Sequence, residues 1–161
     1  SRQGSLTLDD DPELHEQKTI LLLLNDTQFS LQKAHLQLCP ILHNACELDS
    51  KATTISLTHT HEVSAGALAA LLPHLPRWAA DGLPEKPAQI VLPNHRALAD
   101  IIANPADVAF VEGLVDDDGG VETLVAVLLA AHYTGLEAVE TLVLAALALL
   151  FRHTRQVSLC M

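Results

Sequence analysis

Apolar positions change their spacing along this chain: short strand-like runs come first, helical spacing follows, and residues 121–151 form an almost unbroken aliphatic stretch. Residues 19–24 are a β-propensity run, apolar at every position from Ile20 to Leu24, that ends at the turn signal Asn25-Asp26. Residues 27–32 then alternate, with Phe29 and Leu31 on one face, so the two runs predict a hairpin. A strand apolar throughout is expected to be covered on both faces, and its alternating partner on one.

Residues 36–48 predict a helix in which Pro40 occupies a first turn, where a missing N–H costs nothing, and Ile41, Leu42, Ala45 and Leu48 share a face. Residues 53–58 alternate again through Ile55 and Leu57 and predict a third strand. Ser64 is placed to cap a helix carrying Leu68, Leu71, Leu72 and Leu75, which Pro73 and Pro76 distort near Trp78. Five prolines from Pro73 to Pro93, with Asp81-Gly82 among them, predict a surface insertion over about residues 73–105. Inside it, residues 89–92 read as a short strand and residues 97–103 as a short helix closed by Asn104-Pro105. Residues 107–115 read as a further short helix or turn. Asp116 to Gly120 break the chain, and their carboxylates suit the N-terminus of the helix that follows.

The last stretch reads as two consecutive helices, the second with almost no polar face, since every residue from Leu142 to Phe151 is apolar. A helix packed on its own domain normally keeps a polar stripe toward water, and a large exposed apolar patch usually marks a partner surface. Leu144, Leu147, Ala148, Leu150 and Phe151 are therefore expected to contact a helical partner. A bilayer span needs about 20 apolar residues. Here Glu137, Glu140 and Thr141 precede the run and Arg152, His153 and Arg155 follow it, so no membrane role is expected.

Composition refines this picture. At 161 residues the chain can bury a core without disulfides or metal. Residues 1–16, with Asp9, Asp10 and Asp11 in a row, predict a disordered acidic tail, followed by a core over 17–120 and a helical pair with a short tail over 121–161. A formal net charge of -11 argues against a nucleic-acid partner, which needs clustered Lys and Arg. Cys39, Cys46 and Cys160 match neither a CxxC pair nor a zinc framework and read as reduced structural thiols. The start of the chain has no basic segment followed by an apolar one, so a cytoplasmic or nuclear location is expected.

Candidate chemistry is sparse. His59, His61 and Glu62 are proper zinc ligands but lack a fourth partner at a recognisable spacing, so no metal site and no cofactor are expected. Neither Cys39 nor Cys46 has an adjacent base, and GxSxG, GxGxxG and P-loop patterns are absent, so no catalytic residues are expected.

The order strand, strand, helix, strand, helix, insertion, helix, helix, together with Leu124-Val125-Ala126-Val127-Leu128-Leu129-Ala130-Ala131-His132-Tyr133 and then residues 136–150, resembles the Skp-type adaptors of cullin-based ubiquitin ligases. In that family two small residues and Asn-Tyr close an aliphatic helix; here Ala130, Ala131 and Tyr133 match and His132 stands for the Asn. Asp107-Val108-Ala109-Phe110 is similar to the family's acidic and aromatic short helix, and residues 19–48 and 54–78, with Trp78, are similar to its opening elements. The resemblance implies an α/β, BTB/POZ-like core with an N-terminal β-hairpin, a small sheet flanked by helices and two C-terminal helices. It further implies that His132 and Tyr133 lie on a cullin-facing side, and that residues 136–151 help to bind an F-box-type partner. Two other uses of such a fold are open: a scaffold in a non-ligase assembly, for example at chromosomes, and self-association through the BTB surface.

Overall fold

A computed structural model describes residues 19–48, 51, 53–57, 63–85, 97–116 and 120–160, with the side chains of the last helix up to Arg152. The expected acidic tail, the strand at 89–92 and the His59, His61, Glu62 group lie outside these residues. The chain is mixed α/β and divides into two compact units, Ser1–His61 and Glu62–Met161.

In the first unit, β1 (Thr19–Leu24) and β2 (Thr27–Gln32) form the expected antiparallel hairpin, with Ile20 opposite Leu31 and Leu22 opposite Phe29. Asn25 makes the turn at a positive φ of 53, a region that Asn enters more readily than other side chains. β3 (Thr54–Ser56) pairs parallel to β1 on its other edge, giving the order β2-β1-β3. A parallel return requires a crossover, which residues 33–53 supply.

The expectation that β1 is covered on both faces does not hold. Ile20, Leu22 and Leu24 are buried, but Leu21 is exposed and Leu23 only half-buried. Register gives the reason: Leu21 and Leu23 sit between Ser30 and Gln28 on one side and Thr54 and Ser56 on the other, a polar surround that leaves that face toward solvent.

The helix expected over 36–48 divides at Pro40. Residues Lys33–Leu38 form a 3-10 turn, and α1 runs Pro40–Leu48. Proline has no N–H to return to the carbonyl of Leu36, so that carbonyl instead accepts from the Cys39 N–H at 2.9 Å. The buried face also differs from the expected one. Leu42 and Cys46 are buried, with Cys39 just ahead of them, whereas Ile41 is exposed and Leu48 is 90% exposed. Burial pushes the Cys39 thiol up to about 12, which keeps it protonated and unreactive.

The second unit begins with α2 (Ala65–Leu71), capped as expected: the Ser64 hydroxyl oxygen accepts from the Ala67 N–H at 3.0 Å. Pro73 and Pro76 break the helix into a 3-10 turn at Leu72–His74 and α3 (Leu75–Asp81) without breaking its apolar stripe. Leu68, Leu71, Leu72, Leu75 and Trp78 are all buried. The helix expected at 97–103 contracts to a 3-10 turn at Leu98–Asp100.

Asn104-Pro105 opens an element rather than closing one: the Asn104 side-chain oxygen accepts from the Ala106 N–H at 2.9 Å, and Pro105 starts α4 (Pro105–Glu112). The same dipeptide serves either as a stop or as a cap followed by a first-turn proline, and only the continuation distinguishes the two. Asp116 supports the start of α5 (Glu122–Thr134) through a side chain: its carboxylate accepts from the Thr123 hydroxyl at 2.9 Å. α5 packs against α2 and, across the short link Gly135-Leu136, against α6 (Glu137–Cys160), which continues nine residues beyond Phe151.

Candidate interaction surface on the terminal helical pair

Helix geometry separates the residues expected on the α6 contact face. At 100° per residue, Glu137, Glu140, Leu144, Ala148 and Phe151 lie within an arc of about 80°. Of the expected contacts, Leu144 is 49% exposed, Phe151 is 55% exposed and Ala148 is exposed. Leu150 is half-buried, turned away from that arc. Leu147 is only 6% exposed, so it belongs to the buried side of the helix with Val139, Leu142, Val143 and Ala146. Residues 142–151 are apolar all round in composition; one side is sealed by its own chain, and the other leaves Leu144, Ala148 and Phe151 exposed.

α5 carries an open stripe of which only His132 is an expected contact residue: Glu122, Val125, Leu129 and His132, at spacings of three and four, are all exposed. The two stripes adjoin, because His132 Nδ1 lies 3.1 Å from Glu140 Oε1 across the hairpin. Beyond that contact the exposed apolar strip consists of Val125 and Leu129 on α5 and of Leu144, Ala148 and Phe151 on α6, with Glu137 and Glu140 at the N-terminal end of the α6 arc. The signal for it was the helical spacing of Val125 and Leu129, which core packing could equally have claimed.

The turn that sets this register depends on Thr134-Gly135. Gly135 has a φ of 86, its N–H donates to the His132 carbonyl at 3.2 Å, and the Leu136 N–H donates to the Ala131 carbonyl at 2.9 Å. These two bonds make a Schellman stop. The buried Thr134 hydroxyl shares its one proton between the Ala130 and Ala131 carbonyls at 2.9 and 3.2 Å. His132 is open to solvent and Tyr133, beside it, is half-buried. Gly135→Ala forces a side chain into the left-handed region and should destabilise the second unit by about 1–2 kcal/mol, as a lowered denaturant midpoint.

A second cluster holds α3 to α4. Asp107, buried in the first turn of α4, accepts from the Trp78 indole N–H at 3.1 Å and pairs with Arg77 at 2.9 Å, both through Oδ1. His74, Trp78 and Phe110 stack in edge and tilted geometry, with centroids 4.5 to 5.5 Å apart, and the Arg77 guanidinium lies 5.2 Å over the Trp78 ring. A shallow depression of about 320 Å³ opens beside it, with Ala70, His74, Ala109, Phe110 and Gly113 in its lining. Trp78 and Asp107 stand 29 positions apart, and no local sequence signal joins them.

His74 is the titratable member of this cluster. Burial lowers its pKa below the ordinary 6.5, the Arg77 charge lowers it further, and Asp107 opposes both. A depressed histidine leaves the unfolded chain binding more protons, so its stabilising effect is complete above about 6.5 and is lost as pH falls through that value toward the folded one. His74→Phe should therefore flatten the loss of thermal stability between pH 7 and pH 5, measured as the difference in melting temperature between variant and parent.

Among the described residues no group of three or more His, Cys, Asp or Glu could hold a metal ion, and no helix is long and apolar enough to cross a membrane. No protein-family model matches this chain, and no curated protein matches it at a significant level.

Proposed function

We propose that this protein is a non-catalytic Skp-type adaptor with a BTB/POZ-like core, which binds a helical F-box-type partner through α5 and α6 and links it to a cullin. The observation that carries this reading is the exposed apolar strip of Val125, Leu129, Leu144, Ala148 and Phe151, which five neighbouring side chains would not keep in water without a use. Two further features support it: the hairpin, helix and parallel third strand of the first unit follow the order that the resemblance implies, and the Ala130-Ala131-His132-Tyr133 segment ends α5 next to the strip. Leu144, Ala148 and Phe151 form the F-box side, Leu147 and the half-buried Leu150 belong to the inner side of α6 that supports it, and His132 and Tyr133 form the cullin side.

Co-purification tests the reading. The chain mixed with an F-box segment and a cullin N-terminal segment is expected to elute as one ternary complex, and Phe151→Glu should remove the F-box segment while the chain stays folded. Failure to bind either segment would reject the adaptor role. A second use, a scaffold without a cullin, is favoured by one contact: His132, where the family has Asn, is engaged by Glu140. Retention of the F-box segment with loss of the cullin would select that use.

A further inference from the structure

Charge around the strip specifies its occupant more closely than hydrophobicity does. Glu137 is exposed and Glu140 partly so, both on the same arc of α6 as Leu144, Ala148 and Phe151. At the other end of the arc Arg152 follows Phe151. Negative charge is thus concentrated at the Glu137 and Glu140 end, where His132 lies 3.1 Å from Glu140, and the Phe151 end carries a cation. The chain as a whole carries a formal charge of -11.

A second copy matches this surface less well than a cationic helix does. A parallel two-fold contact brings Glu137 and Glu140 against the same acids of the partner copy, and like charges facing each other oppose association; an antiparallel one offers the two acids a single cation, Arg152. Resting on the adaptor reading but going beyond it, we infer that the strip takes an amphipathic helix with a cationic end: two Lys or Arg one turn apart that meet Glu137 and Glu140, then apolar side chains at i, i+4 and i+7. From Glu140 to Phe151 is eleven residues, ~17 Å along the axis, so three turns of partner helix cover the strip. The apolar positions supply affinity and the cationic end sets direction and register.

Titration of the full-length protein with three synthetic helical peptides tests this. All carry the same leucines at i, i+4 and i+7, and one end bears two lysines, two glutamines or two glutamates. The lysine peptide is expected to bind about tenfold more tightly than the glutamate peptide in dilute salt, with glutamine between them. The gap should shrink as salt screens the exposed charges. The double variant Glu137→Lys, Glu140→Lys, which changes one exposed and one partly exposed side chain and gives up the Glu140 contact with His132, should reverse the order. Equal binding of the three peptides, or an order unchanged in the double variant, would overturn the inference. So would sedimentation showing a stable dimer abolished by Leu144→Glu, because that places a second copy on the strip. F-box capture without lysine preference rejects this inference and spares the adaptor reading; lysine preference without F-box or cullin capture does the opposite.

Discussion

Asp107→Ala is expected to lower the unfolding free energy of the second unit by about 2–4 kcal/mol. Three groups share the cause. The Asp107 carboxylate is the acceptor for the Trp78 indole N–H and the counter-charge for Arg77, and it is buried with only 2% exposure. Removing it leaves an indole donor without its acceptor and a guanidinium without its anion, and the lone charge dominates the loss. Breaking a fully buried pair typically costs about 3–5 kcal/mol. Arg77 keeps 23% side-chain exposure, so water recovers part of this and the lower range applies. Asp107→Asn retains an acceptor for the indole and should fall between the two. Trp78 is the only tryptophan in the chain, so its fluorescence reports this unit alone during denaturation. An Asp107→Ala midpoint equal to the parent's would refute the bridging role assigned to this carboxylate.

Leu147→Glu and Leu144→Glu should separate folding from binding on one helix. Leu147 is sealed on the inner side of α6, where a carboxylate would lose its water without gaining a partner, so about 3–5 kcal/mol of stability is expected to go. Leu144, three residues earlier, is 49% exposed, and its carboxylate stays solvated; stability should change by no more than about 0.5 kcal/mol. Partner binding is expected to fall at least tenfold in Leu144→Glu, because the new charge sits one turn from Ala148 on the exposed arc of α6. Circular dichroism melts together with peptide titration on the two variants measure both effects. If Leu147→Glu folds normally, the inward placement of that side chain is wrong.

Much of the fold was legible in the amino-acid order. Hairpin, third strand, Ser64 cap, proline-broken stripe and final helical pair all follow from local rules, because turn chemistry, capping and periodicity act over a few residues. The boundaries that moved did so where one signal has two uses. Pro40 split a helix whose periodicity ran through it, and Asn104-Pro105 started an element it was expected to end. Of the expected contact residues, Leu144, Ala148 and Phe151 face outward and Leu147 does not, a difference that composition cannot express when every neighbour is aliphatic.

By itself, then, the sequence determined the hairpin, the third strand, the Ser64-capped helix and the final helical pair, that residues 142–151 are too apolar for a fully solvated helix, and that acidic groups outnumber basic ones. Tertiary structure alone decided which side of β1 and of α6 is sealed, that the exposed stripes of α5 and α6 meet at His132 and Glu140, and that Asp107 ties Trp78 to Arg77. The physical reason is that secondary structure answers to neighbours three or four residues away, whereas burial and pairing depend on which distant segment arrives at each face.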